Sequence, residues 1–234
     1  MIRIKKGLDI PIYGSPADNI VDSKITRSVA VLGNDYIGMK PTMLVEEGDS
    51  VKLGQALFED KKNPGVIITS PAGGKIESIN RGDRRALQSI VIEIEAEEEI
   101  EEFKSYSNEA LDSVSSDDIR HQLIKSGMWT AFRTRPYSKI PAVDSSPSNI
   151  FISVLDTEPL SPDPEKTVNQ RLEDFNFGLS VLKKLVDCPI HLSVSEDSQL
   201  EIEEDAQVKK HIFSGPHPAA VSYTHLRAHE TCTN

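Results

Sequence analysis

Residues 45–59 read VEEGDSVKLGQALFE and residues 66–79 read VIITSPAGGKIESI. Each half sets a short Val/Ile/Leu run against a turn: Gly48 and Gly54 in the first, Pro71, Gly73 and Gly74 in the second. Short β-branched runs between Gly, Pro, Asn and Asp predict strands joined by tight turns. The flanking segments agree: SVAVL at 28–32 before them and SIVIEI at 89–94 after them. The first hundred residues are therefore expected to form a small β barrel or sandwich.

Beyond them the period changes. Ser116, Asp117 and Asp118 precede Ile119, Leu123 and Ile124 at helical spacing, and Gly127 supplies a left-handed exit. IFISVL at 150–155 predicts a buried strand and PIHLSV at 189–194 another. Between them Val168, Leu172, Phe175, Leu179, Leu182 and Val186 draw one apolar stripe, predicting a single helix from about Glu165 to Val186. Strand, helix, strand is the opening of a parallel α/β domain.

Composition narrows the function. The formal charge is −11, and no basic stripe suggests nucleic acid. No window approaches the ~18–20 apolar residues of a membrane span. MIRIKKGLDIPIYG at the start lacks the apolar run of an export signal, and two cysteines make no disulfide framework. Glu93, Glu95, Glu97, Glu98, Glu99, Glu101 and Glu102 crowd one segment, expected as a solvated strand end entering a linker, with a docking surface for a basic partner as the alternative. Arg81-Gly82-Asp83 is expected to be only a turn.

The two β halves resemble the barrel-sandwich hybrid of biotinyl and lipoyl domains. A carrier needs an exposed lysine at the hairpin tip, and here Lys61 and Lys62 fall within Glu59–Pro64. Their flanks lack methionines, and Met39-Lys40-Pro41 precedes the first half, so solvated charge is the expected role, with a carrier modified near Lys62 kept as the alternative. A periplasmic efflux adaptor would need an export signal and long coiled-coil helices.

At larger scale MIRIKKGLDIPIYG, GNDYIGMKPTMLVEEGDSVKLGQALFEDKKNPGV, SGMWTAFRTRPYSKIPAVDS and FSGPHPA, in that order, resemble one family. It is the A-subunit (NqrA) family of the Na⁺-translocating NADH:quinone oxidoreductase. The resemblance implies a barrel-sandwich domain at 1–100, an acidic, helical connector at 101–147 and a partial Rossmann-like α/β domain at 148–220. It implies a place on the cytoplasmic face of a bacterial inner membrane, docked mainly on the membrane B-subunit. The complex carries electrons from NADH to ubiquinone and exports Na⁺. Further C-terminal domains are implied beyond this chain, and exposed apolar surface and aggregation are then expected of the fragment.

No cofactor is expected in this chain. Iron–sulfur ligation needs several spaced cysteines, and only Cys188 lies in the matching region. A distantly similar FMN-binding subunit has a Gly-rich phosphate cradle where this chain reads GMWTAFRTRP at 127–136. Trp129, Phe132, Arg133 and Arg135 would fill that cradle. Ser126–Thr130 resembles a covalent-flavin motif but is one residue too long. The resemblance implies flavins and iron–sulfur in partner subunits, with ubiquinone a candidate ligand here. Trp129, Phe132, Arg133, Arg135 and His217 are the candidate partner or quinone contacts; packing of the aromatics and pairing of the arginines is the plainer alternative.

His225 and His229 stand four apart with Cys232 following, the look of a zinc pair. VSYTHLRAHET at 221–231, however, matches the translation of a transposase-type sequencing adapter. A non-native tail at 221–234 is expected, with no metal.

Overall fold

The computed structural model describes residues 1–14, 25–202 and 204–219. The expected non-native tail, with His225, His229 and Cys232, lies outside them. In chain order the elements are β1 (Ile2–Arg3), β2 (Ser28–Leu32), β3 (Pro41–Met43), β4 (Ser50–Val51), β5 (Ala56–Asp60), β6 (Ile67–Thr69), β7 (Gly74–Arg81) and β8 (Leu87–Ile94). Then follow α1 (Asn108–Leu111), α2 (Ser116–Lys125), β9 (Ile150–Val154), α3 (Pro164–Asn169), α4 (Leu172–Leu185), β10 (Ile190–Ser195) and β11 (Val208–Ser214).

Among the described residues two compact units result, one within residues 22–145 and one within residues 1–21 and 146–234. In the first, β2-β8-β7-β4 and β3-β5-β6 are antiparallel sheets. Their apolar faces bury Leu57, Phe58, Val66, Ile68, Ile76, Ile90 and Ile92. Each such side chain contributes about 1.5–3 kcal/mol by burial, more than the ~1 kcal/mol net of a ladder hydrogen bond, so packing decides register. This is the expected barrel-sandwich. Arg81-Gly82-Asp83 does turn β7 into β8, through a short 3₁₀ segment at Asp83–Arg85.

The segment expected as a connector packs, to residue 145, as part of this unit: Thr69 Oγ1 donates to Ser126 O at 3.3 Å and Asn63 Nδ2 to Ile140 O at 3.2 Å. Leu53 bridges Ile100, Glu98 accepts from Gly73 N at 2.8 Å, and Lys52 pairs with Glu99 at 3.1 Å, so the acidic run is tied to the barrel. The cap of α2 is Ser115 rather than Ser116: its Oγ accepts from Asp118 N at 3.1 Å. At the other end Gly127 adopts φ +75°, the expected left-handed exit.

In the second unit β9, β10, β11 and β1 form one all-parallel sheet, ordered β1-β11-β10-β9. The domain boundary expected from sequence order differs here, because β1 pairs with β11 and not with the barrel. The single helix expected at 165–186 is two. Arg171 (φ −134°, ψ 42°) breaks it, and Arg171 then pairs with Asp174 at the start of α4. The apolar stripe survives the break: Val168, Leu172 and Phe175 pack with Val154, Leu192, Val194 and Leu200.

The turn into β11 hangs on Asp205, which accepts from Gln207 N and Val208 N, both at 2.8 Å, and from Lys183 Nζ at 2.6 Å. The Lys183 hydrogen bond, then those two amides, hold its carboxyl down at about 2. A depressed carboxyl stabilises the fold above its ordinary pKa and loses that effect as pH falls toward 2. The Asp205→Asn chain should therefore melt below the native chain at pH 6, with the gap closing on acidification; a pH series of thermal melts checks this. A Cβ on Gly127 would lie 2.3 Å from Thr69 Oγ1, whereas one on Gly48 (φ +91°) meets nothing within 4 Å. Gly48→Ala should cost about 1–3 kcal/mol from its φ alone. Gly127→Ala should cost measurably more in urea titration, the difference being the clash.

Candidate functional site

Two places carry the sequence-predicted residues, one in each unit. In the barrel unit, α2 ends at Gly127 and the chain runs through a 3₁₀ turn, Met128–Ala131, that touches β6. This turn points Trp129 inward. The residue is 4% exposed, its Nε1 donates to Pro141 O at 3.0 Å, and the Arg120 guanidinium lies 5.4 Å over its ring. Phe132 is half-buried and meets Trp129 edge-on at 5.3 Å. Both aromatics thus make their observed contacts within their own unit. Arg133 and Arg135 are exposed. Arg133 Nη1 donates to Thr130 O and Phe132 O, and Arg135 Nη1 lies 3.4 Å from Ser138 Oγ. These contacts hold the arginines outward, where carboxylates or phosphates of a partner can be met bidentately.

Lys62 sits at an exposed tip, but the tip is pinned. Asp60 Oδ1 accepts from Lys62 N at 3.0 Å, and Asn63 Nδ2 donates to Ile140 O and Pro141 O at 3.2 and 3.1 Å. The side chain is open to solvent while its hairpin is fastened to the loop at 140–141, a poor start for a swinging arm.

In the α/β unit His217 lies past the carboxyl end of β11, where open parallel sheets place ligands. Its Nδ1 is 2.9 Å from Thr157 Oγ1, on the loop after β9. Its main-chain N donates to Asp9 Oδ1 at 2.9 Å, and Leu8 N donates to its carbonyl at 2.9 Å. Neighbouring Asp156 has its carboxyl pKa lowered, first by Glu158 N, then by the Ser161 hydroxyl. A His–Thr pair is half of a nucleophile–base arrangement, but Asp9 holds the backbone and not the ring. The edge thus offers hydrogen bonds to a polar group, without an activated nucleophile. Thr157, Asp156 and Asp9 were missed from sequence, although an acid just after a parallel strand is a usable signal.

Also missed were His191 and His211, whose Nδ1 and Nε2 lie 2.9 Å apart across β10 and β11. Asn149 Oδ1 is 2.9 Å from His191 Nε2, and Phe151 stacks on the His191 ring at 5.0 Å. Among the described residues no group of three or more His, Cys, Asp or Glu is placed to hold a metal. Cys188 is buried, and burial, then Asp187, pushes its thiol pKa up, so it is a packing residue and an unreactive one. Among them, too, no helix is long and apolar enough to cross a membrane.

Comparison with known proteins covers both units. Residues 2–95 match the NqrA N-terminal barrel-sandwich hybrid domain, and residues 114–233 match the NqrA second alpha/beta domain. The A-subunit of the Na(+)-translocating NADH-quinone reductase of Yersinia pseudotuberculosis serotype O:1b is 51% identical over 226 residues. The proteins of that name from Neisseria meningitidis serogroup A and Neisseria gonorrhoeae are 50% identical over the same length. These alignments take in 97% of this chain and 50% of each relative, so the chain spans about half the length of the curated relatives it matches.

Trp129→Phe should remove the Nε1 hydrogen bond to Pro141 O, which keeps only Asn63 Nδ2, and cost about 0.5–1.5 kcal/mol. Arg133→Ala should leave the urea midpoint almost unmoved. Equal losses in the two denaturation curves would contradict this division of roles.

Proposed function

The chain belongs to the NqrA family, and on that premise we propose that it is the cofactor-free scaffold half of an A-subunit in a Na⁺-translocating NADH:quinone reductase. In this reading the chain itself oxidises no NADH. Flavin and iron–sulfur centres sit in partner subunits, and Na⁺ moves through membrane partners. The chain docks at the cytoplasmic face of the inner membrane, mainly on the membrane B-subunit, and helps to shape a quinone site.

The observation that carries the reading is the filled turn at 127–135. Phosphate cradles need backbone N–H groups open to close approach, which glycine permits and bulk forbids. Here the place holds a buried indole, fastened to Pro141 O. Arg133 and Arg135, exposed beside it, are the side chains that a partner would meet. At the sheet edge, His217 and Thr157 supply the hydrogen-bonding pair that a quinone carbonyl would use.

The test is a purification. The isolated chain should show no flavin absorbance and no NADH turnover. When the full-length A-subunit is co-expressed with the B-subunit, Arg133→Glu/Arg135→Glu should lower co-purification at least tenfold while the melting temperature holds. A bound flavin, or undiminished capture, would sink the proposal.

A further inference from the structure

Charge is distributed unevenly over the barrel unit. Segment 33–40 leaves β2 at the Leu87 end of β8, since Leu32 pairs with Ser89. Most of the acidic run, from Glu95 to Glu102, follows the other end of β8. An eight-residue strand separates the two by about 23 Å.

Around segment 33–40 the chain gathers cations. Lys61 N donates to Lys40 O at 2.8 Å, and Lys40 N donates to Asp60 Oδ1 at 2.9 Å. The Asn63 bonds to Ile140 O and Pro141 O bring this hairpin tip against the loop that carries Lys139. A Cβ on Gly38 would lie 3.9 Å from Lys139 Cε. Arg133, on the same loop, is close enough to Tyr36 to oppose the rise in phenol pKa that burial and Asp35 cause. Lys40, Lys61, Lys62, Arg133 and Lys139 are all exposed. Among the described residues no ion pair holds any of them.

The carboxylates of these segments do not cancel them at the surface. Asp60 is 7% exposed, and Glu59 is half-buried with Oε1 accepting from Gly65 N at 2.8 Å. Asp35 and Asp144 are the exposed acids. Among the cations stand two exposed apolar bodies, Ile37 at 52% and Tyr137 at 73%.

We propose that this face docks on an anionic phospholipid surface, with Lys40, Lys61, Lys62 and Lys139 against headgroup phosphates and Ile37 and Tyr137 at the interface. All four are lysines, hydrated point charges without a fixed fork, which suit a fluid field of phosphates. An acidic protein surface would select arginine forks around a contiguous apolar centre, and Ile37 and Tyr137 stand singly. Tyrosine is at home at headgroup depth. The acidic run at the far end of β8 is repelled by the same surface, so the field orients the unit as well as holding it. This goes beyond the scaffold reading, because no partner protein is required.

Flotation of the full chain with phosphatidylcholine vesicles, with and without phosphatidylglycerol, tests the proposal. Binding should need phosphatidylglycerol and weaken at physiological salt. Each cation removed should lower the partition coefficient about fivefold, so Lys40→Gln/Lys61→Gln/Lys62→Gln should lose on the order of a hundredfold. The control Lys75→Gln/Lys125→Gln/Lys209→Gln removes as much charge elsewhere and should lose only a few-fold. Equal binding to both vesicles, or equal loss in both variants, overturns the proposal. So does retention on polyglutamate beads without vesicle binding, which would assign the face to an acidic protein. Thermal melts of both variants, expected to match the native chain, confirm that they fold.

Discussion

Backbone pairing between the two ends of the described chain sets the architecture. Ile2 and Arg3 align in parallel with Phe213 and Ser214, and Ile4 N donates to Ser214 O at 2.8 Å. Leu8 N and Asp9 then continue the contact to His217. Phe213 is buried against Ile2, Ile4, Phe151 and Leu155. The barrel unit is therefore an insertion between the first strand and the second of one parallel sheet. His217 is held at the sheet edge because β1 delivers Leu8 and Asp9 to it.

That pairing is the part of the fold least visible in the sequence. IR is two residues long and carries no period, and its partner lies some two hundred residues on. Local signals fared better. The Val/Ile runs predicted β2, β6 and β8 within a residue or two, because alternation and turn glycines act over a few positions. The stripe from Val168 onward identified the buried face of α3 and α4 but could not show the break at Arg171, since both helices keep that face on one core. Ser115 and Ser116 are equally good caps by type, and only the backbone decides which one precedes the first turn.

The candidate residues divide along the same line. An aromatic-and-arginine loop was legible as unusual, yet residue type does not tell a packing indole from a docking one. Trp129 donates to Pro141 O, a contact across a loop that sequence spacing does not encode. Arg133 and Arg135 stay outward because backbone carbonyls and a serine of their own loop take their N–H groups. The His191–His211 pair needed β10 and β11 in register, with Ser193 opposite His211, before either histidine could be placed.

How a chain of net charge −11 presents a basic face at all follows from what its acids do. Asp60 takes Lys40 N and Lys62 N, Glu59 takes Gly65 N, and Glu98 takes Gly73 N. Asp205 takes Gln207 N and Val208 N, Asp163 takes Glu165 N, and Asp9 takes His217 N. In each case a carboxylate stands in for a missing ladder or helix acceptor at a turn, where a charge-assisted hydrogen bond is worth most. Lysine cannot do this for an amide, because it has no acceptor. The acids of the hairpin at 59–65 are thereby drawn toward the backbone, and its lysines are left facing water. The basic face is in this sense a by-product of turn chemistry. Any charge change there that spares Asp60 and Glu59 should alter what the surface attracts without altering how the hairpin folds.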